Sequence, residues 1–424
     1  MSYIVIGNSA AGLFAVEEIR KHDTKSEIIV LTSENEPSYS RCLTTYFLAG
    51  DISSSRLYLR EKGFAERLNL KVVYEVEVNR IDPERQLVQS IDGREWSYSR
   101  LLLAMGASAN KLTVPGGTLP EVFTLRTMKD ALAINAVIAQ GAQKGVVIGG
   151  GLVSLKSAYA LKKRGLDVTV LISSGQLLSQ MLNENAADLI QTRLSTHGVK
   201  FVLQTVVSAI TGTSHVQGVT LADKTELGAD LVIVGKGVRP NIGNLRDCGF
   251  NLDLGVQVDS SLATNIPNIY AAGDIAETWD LARQKFTVNA TWPNATTQGR
   301  IAGANMCGGH EIYPGSLSLN SVDFFGLSAM SAGITKLPEN KEQGWTQEES
   351  QNSAGDMPIY RSLIWQEDIL KGFILVGDTS QCGILTALVK AGRSLTQAQK
   401  KLTMGKRGTL AVGMMTLLNY QSSY

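Results

Sequence analysis

Apolar residues gather in short blocks that end at glycine-rich breaks. Tyr3 to Ile6 is a run with β-branched members, the mark of a buried strand. It breaks at Gly7-Asn8-Ser9-Ala10-Ala11-Gly12 and continues as a helical pattern with Leu13, Val16 and Ile19, after which Glu27 to Leu31 forms a second strand. The same order returns further on. Val146 to Ile148 is a strand, Gly149-Gly150-Gly151 a turn, Leu152 to Arg164 a helix and Val168 to Leu171 a strand. Two such strand–turn–helix–strand units predict two bound dinucleotides, each with its own domain. One cofactor would not need the repeat.

The turn explains why small residues stand there. A helix N-terminus carries unpaired N–H groups and the positive end of the helix dipole, so a pyrophosphate docks where the backbone can come close. The middle glycine of the usual G-x-G-x-x-G spacing is Ser9 here. Glu34 follows the second strand, near the place where an acid takes a ribose hydroxyl pair. In the second unit that acid is missing: Leu171 is followed by Ile172, Ser173, Ser174 and Gly175. With no Arg or Lys beside it for a 2′-phosphate, NADH is expected over NADPH.

The remaining pattern fills in around these units. Residues 71–104 read as strands, with a hairpin turn at Asp92-Gly93. Gly106 marks a second close backbone approach, and Pro115-Gly116-Gly117 with Pro120 reads as a linker. Asp230 to Gly235 is a buried strand; the strand within residues 266–276 stops at Ala271-Ala272-Gly273-Asp274, where Asp274 can accept from a polyol or cap a helix. A helix opens at Trp292-Pro293 and runs through Met306. From residue 311 the pattern changes to mixed strands and a helix, a third unit. Within it, the polar stretch Lys336 to Asp356 reads as a loop between strands, and the tail from Lys400 to Tyr424 as packing on its own domain or on a partner.

Composition narrows the class. At 424 residues the chain exceeds what one core serves, and 44% hydrophobic with 19% charged residues is ordinary for globular domains. Net charge is +1, from 40 basic and 39 acidic residues, which points to neither nucleic acid nor an anionic membrane as partner. No apolar stretch reaches the ~18 residues of a membrane span. No leader is visible and the cytoplasm is expected. The cysteines, Cys42, Cys248, Cys307 and Cys382, lie far apart without a CxxC, against a locally built iron–sulfur or zinc site. The histidines, His22, His197, His215 and His310, suggest neither a hydrolytic triad nor a metal site. Arg41 can pair with a phosphate or be a surface arginine. Cys42 precedes a helical stretch, where a thiolate would gain from the helix N-terminus and from Arg41; a small buried apolar residue is the alternative.

With GNSAAG, YSRC…TYFLAG, LLLAMGA, VVIGGGLVSLKSA, ADLVIVGKGVRPN, IYAAGDIAE, WPNATTQGRIAG and LSLNS…FFGL in view, nearly the whole chain resembles the pyridine-nucleotide-disulfide oxidoreductases. Within them it is most similar to the branch of nitrite reductase flavin domains, NADH oxidases and ferredoxin or rubredoxin reductases. Its likeness extends to the NAD-binding flavoprotein subunits of 2-oxoacid dehydrogenases such as the phenylglyoxylate enzyme.

The resemblance implies an α/β fold with two Rossmann-like domains, for FAD and NAD, and a small α+β C-terminal domain. Its boundaries would be 1–112 with 246–310 for FAD, 113–245 for NAD and 311–424 for the interface domain. It implies that Gly7, Ser9, Ala10, Ala11 and Gly12 hold the FAD pyrophosphate, Ser33 or Glu34 the adenosine ribose and Arg41 a phosphate. Val78 would meet the adenine, Gly106 and Cys42 the flavin nucleotide, Gly273 and Asp274 the ribitol, and Ala295 and Gln298 the flavin ring. Gly149, Gly150, Gly151, Leu152, Lys156 and Gly237 would serve NAD, Lys156 standing where relatives carry Glu near the nicotinamide. Where many electron-transfer relatives have Pro, this chain has Cys42, the redox position of coenzyme A-disulfide reductases.

The function implied is FAD-dependent electron transfer between NAD(H) and iron–sulfur subunits or a ferredoxin-like carrier, in a homodimer or hetero-oligomer. A stand-alone NADH oxidase or disulfide reductase using Cys42, and a non-enzymatic flavin scaffold, are the alternatives.

Overall fold

The computed structural model describes residues 1–339 and 344–404. Its first sheet is wholly parallel and runs Ile269–Ala271, Arg100–Leu103, Ser2–Ile6, Glu27–Leu31, Leu70–Val73. The three central strands are buried on both faces, hence their continuous apolar runs, while the edge strand Leu70–Val73 is only half-buried. Helix Ala10–His22 packs on helix Trp292–Met306, and small residues set the spacing. A Cβ on Gly299 would sit 2.3 Å from the Ala11 carbonyl oxygen, and one on Gly303 2.6 Å from that of Ala15.

A second five-stranded sheet repeats the design, in the order Val199–Val202, Asp167–Leu171, Lys144–Ile148, Leu231–Val234, Val122–Phe123, again parallel. Strand Val238–Pro240, just beyond this sheet, pairs antiparallel with Ala107–Ala109 beside the first, tying the two units together. The third sheet is antiparallel: Leu319–Phe324, Leu327–Gly333, Ile369–Val376, Met357–Gln366, Trp345–Ala354. Helix Cys382–Ala391 covers it, packing Leu385 and Val389 against Trp365 and Phe373. The fold is therefore α/β with two Rossmann-like units and a small α+β unit, as expected.

Two expectations change. Ten residues of the polar stretch assigned to a loop form strand Trp345–Ala354, hydrogen-bonded along its whole length to Met357–Gln366. It is an edge strand, largely open to solvent, so polar residues suffice. Residues 340–343 of that stretch, and the tail from residue 405 with Lys406, Arg407 and Leu410 to Leu418, lie outside the described residues. The described part of the tail, helix Gln397–Met404, packs on its own unit: Arg361 donates to the Thr403 carbonyl at 2.7 Å and Lys400 to that of Glu367 at 2.6 Å. Among the described residues no helix is long and apolar enough to cross a membrane.

Candidate functional site

The loops at the carboxyl ends of the first sheet's strands surround a cleft of about 1110 Å³. That is at the upper end of the ~300–1,000 Å³ of drug-sized pockets, the room a dinucleotide needs. Of the residues singled out in the sequence, Gly7, Ser9, Ala10, Ala11, Ser33, Glu34, Arg41, Cys42, Val78, Gly106, Gly273, Asp274 and Ala295 line it. Gly7 has φ +116°, and a Cβ there would meet the Ala104 carbonyl oxygen at 2.1 Å, so no other residue fits. Ser9 is the N-cap of helix Ala10–His22 but makes no side-chain cap bond, leaving the first-turn N–H groups for a ligand. The donor set fits a pyrophosphate.

Two acids of the cleft are held by arginines. Glu34 accepts from Arg41 and, at 2.5 Å, from the Tyr39 hydroxyl; Arg41 also donates to the Arg126 carbonyl at 2.8 Å. Burial pushes the Tyr39 hydroxyl pKa far up, and its bond to Glu34 adds to this, so Tyr39 stays a donor. Asp274 caps no helix; its Oδ2 lies 2.7 Å from Arg126 Nη2. An ionised carboxylate has about four acceptor sites, so both acids keep room for ligand hydroxyls. Arg126 also donates to the Ala107 carbonyl at 3.1 Å and lines the cleft. Sequence reasoning missed it. The available signal was its place one residue before the Thr127–Asp130 capping box that starts helix Met128–Ala139.

Other residues named from the sequence lie differently. Gly12 and Gln298 lie behind the cleft wall. A Cβ on Gly12 would sit 1.9 Å from the Gly7 carbonyl oxygen, so this glycine lets the helix approach its own turn. Gln298 is buried, accepting from the Gly273 N–H at 2.7 Å and donating to the Tyr313 hydroxyl at 3.2 Å. Lys156, expected at the NAD site, is buried at the junction of all three units, its Nζ 4.1 Å from the Tyr46 ring centroid and 4.7 Å from that of Tyr159. Finally, Cys42 opens onto the cleft, but its thiol is not activated. Surrounding protein pushes its pKa up, Asp274 adds to this, and the opposing cation is Arg126, itself paired with Asp274, while Arg41 is paired with Glu34. The helix that follows, Thr44–Leu48, is a turn and a half and offers little dipole.

The second turn is built like the first. Gly149 has φ +118° and a Cβ there would meet the Gly235 carbonyl oxygen at 2.4 Å, whereas one on Gly151 would meet nothing within 4 Å. Gly151 is the uncapped N-cap of helix Leu152–Lys163, and Leu152 at its start is 37% exposed. A Cβ on Gly150 would touch Ile172, which is fully buried, so the residues presented after the strand are the exposed Ser173 and Ser174. Gly237 has φ +79°, and the residues after it, Val238 to Asn241, form a wall of the first cleft. Strand Val238–Pro240 thus carries the second unit to the edge of that cleft. Among the described residues no group of three or more His, Cys, Asp or Glu is gathered for a metal ion.

The family model for pyridine nucleotide-disulphide oxidoreductase matches residues 1–299. The chain belongs to this family. As a member it is an FAD-dependent NAD(P)H oxidoreductase, and the reading as a non-enzymatic scaffold falls away. It is 34% identical over 346 residues to the NADH-dependent phenylglyoxylate dehydrogenase subunit epsilon of Aromatoleum evansii, covering 80% of this chain and 81% of that one. It is 31% identical over 402 residues to the assimilatory nitrate reductase electron transfer subunit of Bacillus subtilis, covering 94% of this chain and 50% of that protein. The chain thus spans about half the length of that relative. A NAD-dependent persulfide reductase from A. fulgidus has the same fold, with TM-score 0.89 at 26% identity, over 100% of this chain and 84% of the other.

Proposed function

We propose that the chain moves electrons between NAD(H) and iron–sulfur subunits or a ferredoxin-like carrier, as the flavoprotein of a larger assembly such as a 2-oxoacid (phenylglyoxylate) dehydrogenase. Bound FAD supplies the exchange between two-electron and one-electron chemistry that such a role needs. The chain's part is to bind and orient. The N–H groups after Gly7 take the pyrophosphate, Glu34 the adenosine ribose, Val78 the adenine edge, and Asp274, steadied by Arg126, the polyol. The uncapped helix behind Gly151 takes the second pyrophosphate, and the Gly237 to Asn241 wall borders the nicotinamide end of the first cleft. Names of relatives that act as electron-transfer or dehydrogenase subunits support this reading.

The observation that carries it is geometric: each glycine turn opens an uncapped helix start for a dinucleotide, while Arg41, the cation next to Cys42 in the chain, is committed to Glu34. A disulfide reductase needs a thiolate at neutral pH, and the surroundings of this thiol favour the protonated form. The test is anaerobic titration of the purified yellow protein with NADH, followed by a viologen, oxygen and a disulfide as separate acceptors. Fast viologen turnover with slow oxygen and disulfide turnover is expected. Fast disulfide turnover that Cys42→Ser abolishes would replace this reading by the thiol-based one, which the opening of Cys42 onto the cleft favours.

A further inference from the structure

The choice between NADH and NADPH turns on what faces the adenosine 2′ position, at the carboxyl end of the second strand in a dinucleotide-binding unit. Here that is the stretch after Asp167–Leu171, and from Ile172 to Asn183 it contains no charged residue. Nothing there repels a phosphate, and the exposed Ser173 and Ser174 offer hydroxyl donors. The cation that the neighbouring sequence lacks comes from the third unit. Lys336 Nζ donates to Gln176 Oε1 at 2.9 Å, across 160 residues of chain.

The bond has a direction. Gln176 Nε2 donates to the Leu182 carbonyl at 2.8 Å, which turns the amide oxygen toward the lysine. The ammonium is exposed, its partner is a neutral amide, and among the described residues it has no carboxylate within ion-pair distance. Glu349, which reaches Asn183 at the far end of the stretch, is already held by Asn183, Asn185, Gln347 and Tyr360. A lysine in this state gains by exchanging the amide for a phosphate, because an anionic acceptor adds direct charge–charge attraction that a neutral amide oxygen lacks.

We propose that Lys336 is a specificity-determining residue for the pyridine nucleotide: it leaves Gln176 for the adenosine 2′-phosphate, so NADPH is accepted alongside NADH. This rests on the second unit being the nucleotide site, and it reverses the preference for NADH drawn from the strand's immediate neighbours. The exposed hydroxyls of Ser173 and Ser174 serve either nucleotide, as donors to the phosphate or as partners of a free ribose.

The experiment follows flavin bleaching in the full-length holoprotein, anaerobically, with NADH and with NADPH. Wild type is expected to give kcat/KM values for the two within about tenfold, the discrimination a site without a repelling acid reaches. Lys336→Ala should lower the NADPH value about tenfold or more and leave NADH within about twofold, while Lys336→Arg keeps NADPH use. Ser173→Asp should turn the ratio toward NADH. Bleaching by NADH alone in wild type, or an equal effect of Lys336→Ala on both nucleotides, overturns the assignment to Lys336. Bleaching by neither removes the nucleotide-site reading itself.

Discussion

Arg126 Nη2 and Asp274 Oδ2 meet at 2.7 Å across 148 residues of sequence. Arg126 stands just before the helix that leads into the second nucleotide unit, and Asp274 follows the edge strand Ile269–Ala271 of the first sheet. Their side chains are 24% and 18% exposed, between a surface pair and a buried one. Removing the arginine leaves a carboxylate against the cleft with nothing to hold it. Arg126→Ala is therefore expected to lower stability by about 1–3 kcal/mol. FAD affinity should fall about tenfold or more, with Asp274→Asn giving a smaller loss because it leaves no unpaired acid. Denaturant midpoints and flavin release on dilution check both; unchanged flavin retention in Arg126→Ala would deny the pair its place in the site.

The glycines of the two turns separate packing from binding. Gly149→Ala puts a methyl 2.4 Å from the Gly235 carbonyl oxygen at a positive φ, so misfolding or a clear loss of thermal stability is expected, of about 1–3 kcal/mol or more. A Cβ on Gly151 meets open space at an extended φ of −82°, so Gly151→Ala should keep the wild-type melting temperature. If the uncapped helix start receives a pyrophosphate, that variant should raise the KM for the nucleotide while leaving flavin content unchanged. Steady-state kinetics with flavin quantitation check it.

Much of this arrangement was legible in the chain. Apolar strands, small turns and amphipathic helices repeat so clearly that both dinucleotide folds follow from the pattern, and the cleft gathers most of the residues named from it. What the pattern lacks is long-range pairing. Arg126 and Lys336 look like ordinary surface cations until folding carries them to Asp274 and Gln176. Gly12 and Gln298 carry the right residue types at the right spacing, yet one packs a helix on its turn and the other braces Gly273 from behind. The strand Trp345–Ala354 escaped notice because an edge strand with solvent beside it need not be apolar.

Cys42 gives a pH signature. The protein packed around it, with help from Asp274, raises its thiol above the ordinary value of 9.0, so the reactive thiolate is scarcer at neutral pH than in a free thiol and rises only in alkali. In a variant with Cys248, Cys307 and Cys382 changed to Ser, the rate of Cys42 alkylation by iodoacetamide should climb with an inflection above pH 9.0. Bound FAD would exclude water further and push it higher. An inflection below that ordinary value would show an activated thiol and return disulfide chemistry to the centre.

Lys156 is a buried cation without a carboxylate partner at ion-pair distance among the described residues. It donates to the Asp323 carbonyl at 3.3 Å and lies against the rings of Tyr46, Tyr159 and Phe324, which come from three different units. The aromatic faces offset part of the cost of desolvation. Burial still lowers its pKa below 10.5, against the pull of Asp323 and Asp51. Below the folded pKa the lysine is charged in both states and the cost is present in full. Between the folded and unfolded values the unfolded chain binds more protons, so wild-type stability recovers as pH rises. Lys156→Met is thus expected to match or exceed wild type by up to about 1 kcal/mol at pH 7, the difference shrinking as pH nears 10.5. Lys156→Glu would set a carboxylate against three ring faces and the Asp323 carbonyl, at a cost of about 3 kcal/mol or more. Denaturant unfolding of the three proteins across that pH range decides it. A large loss in Lys156→Met would mean that the cation, and not the packing of its stem, holds the three units together.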